Sequence, residues 1–175
     1  LGSVEVIAVP LGPLQANAYL LVEGGSVVVV DPGGEGEELA AALRERGLEL
    51  AAVWLTHAHF DHVGGLAALL RAAPGVPVRM HPDDAPLLLG AVPAAARWGI
   101  AMEAPPADFL PLRHGETLED GGARARVLHT PGHAPGHVAF YLEETGVVLS
   151  GDALFNGSIG RTDLPYGDQA QLLAS

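Results

Sequence analysis

The sequence predicts a layered α/β sandwich, and three observations carry that reading. Short apolar runs alternate with helical patterns in the first half and return as a series of strands after Glu116. One run, Val27 to Val30, has no polar face at all, as expected of a central strand covered on both sides. No regular βα unit repeats along the chain, which argues against a single wound sheet. At 175 residues and 49% hydrophobic, the chain fits one domain, residues 1–175, able to bury a substantial core.

In chain order, Val4 to Val9 alternates weakly and reads as a strand. Asn17 to Val22 and Ser26 to Val30, separated by Glu23-Gly24-Gly25, give a hairpin signal. Asp31-Pro32-Gly33-Gly34 turns the chain into a helix from about Glu35 to Arg46, with Leu39 and Leu43 on one face and Gly47 as its stop. Ala51 to Leu55 is a buried strand, followed by a helix from His62 to about Ala72. Gly64 and Gly65 in its first turn each cost roughly 1 kcal/mol against Ala, so a close backbone approach is expected there. Val78 to Met80 is a short strand. Asp83 to Trp98 is helical, and Pro86 and Pro93 are expected to break it into two short helices. Ala104 to Arg113 has no clear pattern and reads as a flap or irregular surface. Thr117-Leu118, Arg124 to His129, Val138 to Leu142 and Val147 to Leu149 are strands joined at Gly121-Gly122 and Glu144-Thr145-Gly146.

Composition excludes several function classes. With no cysteine, disulfides, thiolate metal ligation and a cysteine nucleophile are ruled out, so any metal must be held by His, Asp or Glu. The formal net charge is −12 and all nine basic residues are Arg, which argues against a nucleic-acid surface. No apolar run of membrane-spanning length and no basic-then-apolar leader is evident, so a cytoplasmic protein with no membrane association is expected.

The chemistry concentrates in Thr56-His57-Ala58-His59-Phe60-Asp61-His62. If the strand before it stays extended for a residue or two, His57 and His59 point to one side and can share a metal. The helix pattern beginning near His62 sends Asp61 and His62 in different directions, towards a second ion close by. Neutral imidazole and carboxylate suit Zn²⁺, Mn²⁺ or Fe²⁺ at roughly 2.0–2.2 Å. An isolated His-x-His is as often a pair of surface histidines. The attached Asp-His after a buried strand is what makes this stretch a site. Two more segments converge on the same chemistry. His129-Thr130-Pro131-Gly132-His133-Ala134-Pro135-Gly136-His137 is a loop stiffened by two prolines, and Ser150-Gly151-Asp152 places a carboxylate at the end of an apolar strand. Alone, Asp152 would read as a turn or helix-cap residue. Beside the histidines it is placed to bridge two ions.

In this order, His57-x-His59-x-Asp61-His62, a Gly-His loop and then Gly-Asp resemble the signature of the metallo-β-lactamase superfamily. Asp31-Pro32-Gly33-Gly34, Thr130-Pro131-Gly132-His133, Gly151-Asp152-x-Leu154-Phe155 and Gly160-Arg161-Thr162-Asp163 are similar to its glyoxalase II (hydroxyacylglutathione hydrolase) branch, in the short bacterial form without a helical glutathione-binding domain. The resemblance runs from about Val4 to Leu173. It implies a four-layer αββα sandwich. It also implies two divalent ions, zinc first with iron or manganese as alternatives: His57, His59 and His133 on one, Asp61 and His62 on the other, and Asp152 between them. Asp61 would also act in catalysis by orienting a metal-bridging hydroxide, and Arg161 would contact substrate.

The implied partner is a small-molecule thioester, an S-2-hydroxyacylglutathione such as S-lactoylglutathione, with no nucleic acid, no membrane and the oligomeric state left open. The rival readings are a mononuclear iron persulfide dioxygenase, a branch that shares the Asp-Ala-Leu and Gly-Arg-Thr-Asp runs, and a lactone or other ester hydrolase. The family's second metal takes one more histidine from a later Gly-His segment, whereas no histidine follows His137 here. The expectation is therefore a domain lacking its last C-terminal segment, with the second metal site incomplete in this chain. His129 and His137 read as packing or supporting residues.

Overall fold

A computed structural model describes residues 3–175; the sequence reading of the chain's start falls partly on residues 1 and 2, which lie outside the described residues. Strands β1 (Glu5–Leu11), β2 (Ala16–Glu23) and β3 (Ser26–Val30) form an antiparallel meander. Helix α1 (Gly36–Glu45) then carries the chain to β4 (Glu49–Trp54), which lies parallel to β3. Next come α2 (Phe60–Val63), α3 (Leu66–Ala72), β5 (Val78–Met80), a single 3₁₀ turn (Pro82–Asp84), α4 (Ala85–Leu89), α5 (Ala91–Ala96) and the two-residue edge strand β6 (Leu110–Pro111). Strands β1 to β6 make one six-stranded sheet in sequential order. Strands β7 (Thr117–Asp120), β8 (Ala123–His129), β9 (Val138–Leu142) and β10 (Val147–Leu149) make a second, antiparallel sheet of four. A small hairpin of β11 (Leu154–Phe155) and β12 (Ser158–Ile159) and the helix α6 (Gln169–Ala174) complete the chain.

The side-chain period of a strand explains the layers. Along β3, Val27 and Val29 face the helices, where they meet Leu39 and Leu43 of α1 and Leu66 and Leu69 of α3. Val28 and Val30 face the other way, onto Val127, Phe140 and Leu149 of the second sheet. The all-apolar run is thus a strand between two cores. The sheets are tied at Trp54, fully buried with its ring 5.2 Å from that of Phe140. Its indole N–H donates to Asp120 at 2.8 Å, and Arg79 binds the same carboxylate through two N–H groups at 2.7 and 2.8 Å. Truncating Trp54 would remove that packing at a cost of about 3–5 kcal/mol. The second sheet turns Arg124, Arg126 and Val148 outward.

Three expectations are corrected. The helix read from His62 to Ala72 is two pieces, because α2 starts at Phe60 and the backbone breaks at Gly64-Gly65. The close approach expected there is real: a Cβ on Gly64 would stand 2.5 Å from the Gly33 carbonyl oxygen, and one on Gly65 2.5 Å from that of Gly34. The two short helices expected over Asp83 to Trp98 are present as α4 and α5, but the prolines are not what separates them. Pro86 and Pro93 fall in the first turns of α4 and α5, where no N–H is required, and the break is at Gly90 between them. Finally, β4 ends at Trp54, so His57 and His59 come from the loop beyond it rather than from an extended strand end.

Candidate metal centre

Five of the centre's groups sit past the C-terminal end of a strand, the edge where open α/β sheets collect ligands, and Asp61 and His62 lie in α2 just beyond. Asp31 follows β3, His57 and His59 follow β4, His133 follows β8 and Asp152 follows β10. The loop after β4 is pinned from beneath by the carboxylate of Asp31, which accepts from the Thr56 backbone N–H at 2.7 Å and from the Thr56 hydroxyl at 2.6 Å. Asp31 is fully buried and its backbone is left-handed, with φ 53°.

These contacts decide which ring nitrogens are free. The Thr56 hydroxyl spends its proton on Asp31, so its oxygen accepts from Nδ1–H of His57 at 2.9 Å, leaving His57 Nε2 bare. His62 faces Asp31 through Nδ1 at 3.0 Å, and His133 faces the Arg161 carbonyl through Nδ1 at 2.7 Å, so both also turn Nε2 inward. The three Nε2 atoms converge on Asp152. His133 and His57 lie 3.3 and 3.9 Å from its Oδ2, and His62 lies 3.3 Å from its Oδ1. Asp61 Oδ2 is 3.6 Å from His62 Nε2. His59 Nδ1 is 3.0 Å from His133 Nε2.

Acceptors facing acceptors in a buried space require a cation. His57 Nε2 and His62 Nε2 are buried without a hydrogen-bond partner, which in a folded protein calls for a specific explanation. The donors include two separate groups, each spanning no more than 4.8 Å, His57, His59 and His133, and Asp61, His62 and Asp152, and a third group of the same span, Asp31, His57 and His62, links them. Nitrogen and oxygen donors of this kind fit borderline divalent ions. The structure thus brings all six sequence-predicted ligands together. Asp152 offers one oxygen to each group.

Electrostatics follow the same division. Burial, and then the neighbouring imidazoles, push His57 well below the ordinary histidine range, and burial with His133 lowers His59 to about 3. Both rings are neutral at physiological pH. Burial also acts to lower His62, but Asp152 and Asp31 outweigh it and hold the ring well above its usual range; without a cation, a proton takes its place. Burial opposes ionisation of Asp152, yet the His133 and His62 rings facing it keep its carboxyl well below the carboxylate range. Asp61 is raised by burial first and by Asp152.

Several supporting residues escaped the sequence reading. Asp31 is read from the sequence as part of a turn and of a family motif but not as a support of the centre, although a carboxylate closing the buried run Val27 to Val30 is the same signal that singles out Asp152. Asp84 accepts from the Ala58 N–H at 2.8 Å and the Gly136 N–H at 2.5 Å, joining the His57–His59 loop to the His133–His137 loop; nothing in its Pro-Asp-Asp context marks that. His137 supports the site as expected: Nδ1 meets the Thr130 hydroxyl at 2.8 Å and Nε2 accepts from the Asp152 N–H at 3.2 Å. That contact needs glycine at 151, where φ is 49° and a Cβ would stand 2.5 Å from Thr56 Oγ1. His129 packs outside the centre, stacked on His81 with ring centroids 4.2 Å apart. Arg161 supplies the carbonyl that orients His133, while its guanidinium is paired with Asp163 at 2.7 and 2.8 Å.

A cavity of about 270 Å³ opens onto His59, Asp61, His133 and Asp152. Its walls are mainly apolar, with Phe60, Leu87, Trp98 and Leu164 among them. Among the described residues no helix is long and apolar enough to cross a membrane.

Comparison with known proteins agrees with this geometry. The metallo-beta-lactamase superfamily profile matches residues 11–175. The chain is 44% identical over 168 residues to the probable metallo-hydrolase YqgX of Bacillus subtilis (strain 168), covering 95% of this chain and 79% of that protein. It is 38% identical over 180 residues to hydroxyacylglutathione hydrolase GloC of Haemophilus influenzae (strain ATCC 51907 / DSM 11121 / KW20 / Rd), covering 99% and 82% respectively. Among solved structures, TTHA1623 in a di-iron-bound form superposes with a TM-score of 0.89 at 50% identity, covering 96% of this chain and 82% of that one.

Proposed function

Because the chain belongs to the metallo-beta-lactamase superfamily, a family of metal-dependent hydrolases whose fold holds divalent ions, we propose that it hydrolyses a small glutathione-type thioester, such as an S-2-hydroxyacylglutathione. The observation that carries this reading is the shared Asp152, with Oδ2 towards His57 and His133 and Oδ1 towards His62. A carboxylate divided in this way suits two ions side by side, and a di-iron form of a similar protein supports that arrangement. The likeness to GloC supports the thioester class.

Ions held there supply Lewis-acid polarisation of a carbonyl and acidify water towards a pKa of about 7. The protein's own groups do the rest. His57 and His133 keep Nε2 deprotonated and aimed, because Thr56 and the Arg161 carbonyl occupy their Nδ1–H groups. Asp61 faces the cavity, where it orients the attacking water through its carboxylate. The apolar walls exclude competing water and receive the acyl and thiol parts of the substrate, and Arg161 lines the same cavity as a substrate contact. No side-chain nucleophile is required, in keeping with a chain that has no cysteine.

The deciding experiment assays metal-analysed protein on glutathione thioesters, lactones and a glutathione persulfide. The reading expects thioester turnover with two ions per chain. Oxygen consumption on the persulfide with one iron per chain would replace it with a dioxygenase, and turnover confined to lactones would move it to another hydrolase branch.

A further inference from the structure

We infer that Arg97 is the anchor for an acidic group on the substrate, so that the enzyme takes small carboxylate-bearing esters or thioesters in preference to neutral ones. The inference rests on the hydrolase reading above and extends it to a substrate class and a binding residue.

Two cations reach the cavity at the centre, Arg97 and Arg161, and they are not equivalent. Arg161 gives two guanidinium donors to Asp163, so its charge is already matched by an adjacent carboxylate. Arg97 follows the end of α5 and has no hydrogen-bonded or ion-paired carboxylate among the described residues. It also lines a second cavity, of about 250 Å³, that shares His59, Phe60, Leu87 and Pro165 with the first. Arg97 therefore lies on the wall that the two cavities share, beside the candidate ligand His59.

The rest of that wall is apolar. Phe60 and Trp98 face one another with centroids 6.1 Å apart, and Trp98 is 52% exposed beside Arg97. A neutral ligand would fill this wall without using the guanidinium. A ligand with a carboxylate gains a planar, two-donor partner. The protein's net charge of −12 sharpens the point: an anionic substrate meets overall repulsion, and an unmatched cation at the mouth is what reverses it locally. The bound order is then acidic group on Arg97, apolar part across Phe60 and Leu87, and scissile carbonyl over His59, His133 and Asp152.

The experiment compares the wild type with Arg97→Ala and Arg97→Lys on two thioesters that share an acyl group, S-lactoylglutathione and the uncharged S-lactoyl-N-acetylcysteamine. Arg97→Ala is expected to raise KM for the glutathione ester about tenfold, the scale of one hydrogen-bonded charge contact, with kcat within about twofold and the neutral ester unaffected. Arg97→Lys should recover part of the loss, and added salt should erode the wild-type preference. Equal effects on both esters, or none on either, would overturn the inference. A second measurement separates it from the hydrolase reading. Binding of the thioether S-hexylglutathione, and of its dimethyl ester, is followed by calorimetry and needs no turnover. If neither thioester is hydrolysed, the reading of function falls, while Arg97 is still judged by whether Arg97→Ala weakens the acid about tenfold and spares the ester. Unchanged affinity for the acid overturns it.

Discussion

The two halves of the centre are built to attract cations by different means. His57, His59 and His133 form a cage of imidazole nitrogens, with the Nδ1 of His57 and His133 committed to a hydroxyl and a carbonyl. Asp61, His62 and Asp152, with Asp31 behind His62, form a cluster of negative charge around a single imidazole. The first half needs a cation because its lone pairs face one another; the second needs one because its carboxylates do. That difference is visible without any ion present, since His57 stays neutral while His62 is held well above the ordinary histidine range. Asp152 belongs to both halves, so the comparison can be broken most severely there.

Replacing Asp152 with Asn keeps the shape and removes the shared charge. Its amide nitrogen must then face either His62 or the His57–His133 pair. The expected result is a loss of about three orders of magnitude in kcat, with little change in KM, because several kcal/mol of transition-state charge stabilisation depend on the ions. Elemental analysis alongside kinetics checks this, and a variant that kept both ions and near-normal kcat would show the halves to be independent. Next in size are two alanine variants that separate them. His133→Ala should empty the three-histidine cage and leave the charged cluster able to hold an ion. His62→Ala should do the reverse. In each case about one ion per chain is expected, with activity reduced at least a hundredfold; identical metal profiles for the two variants would mean the centre loads as one unit.

A smaller effect tests the support behind the ligands. Asp31→Asn leaves every ligand in place but withdraws charge from Thr56 and His62, whose contacts with Asp31 are 2.6 and 3.0 Å. Losses of this kind lower metal affinity about 10- to 100-fold. Competition with a chelator measures it, and unchanged affinity would show that Asp31 only shapes the turn after β3.

The ligands were legible in the sequence and their supports were not, for a physical reason. His57, His59, Asp61 and His62 are adjacent in the chain and Asp152 ends an apolar strand, so residue type and local spacing pointed to them, while His133 was singled out from the three histidines of its loop only by the family resemblance. Asp31, Thr56 and Asp84 act across 25 or more residues, through register and loop closure that no local pattern records. The fold shows the same contrast. Val27 to Val30 announced a doubly covered strand, while the break at Gly90 was missed because prolines were weighed as breakers without regard to their place in a helix's first turn. The hairpin Leu154–Phe155 and Ser158–Ile159 was not read, since two-residue strands carry too few side chains to show a period.

The gentlest way to sharpen the comparison is to loosen the His57–His59–His133 half alone, without touching a ligand. Asp84 is the strut between the two loops that carry that half, with one oxygen on Ala58 N–H and the other on Gly136 N–H. Asp84→Asn turns an amide NH₂ towards one of those donors, leaving a buried N–H unpaired, at a cost of about 1–3 kcal/mol of stability. The pH dependence has a definite sign. Burial raises the Asp84 carboxyl to about 6, above its ordinary value of 3.8, against the pull of its two backbone N–H bonds. The folded state therefore binds more protons than the unfolded state between those values, and the Asp84 contribution is fullest below about 4 and declines as pH rises through about 6. The asparagine variant has no such group. Denaturant unfolding of both proteins at pH 4, 5, 6 and 7 should show the stability gap narrowing from pH 4 to pH 6 and then levelling. A gap that widened over this interval would mean that the strut carboxylate is stabilised by its two donors more than burial opposes it, and that the two loops are drawn together by charge rather than held at a cost.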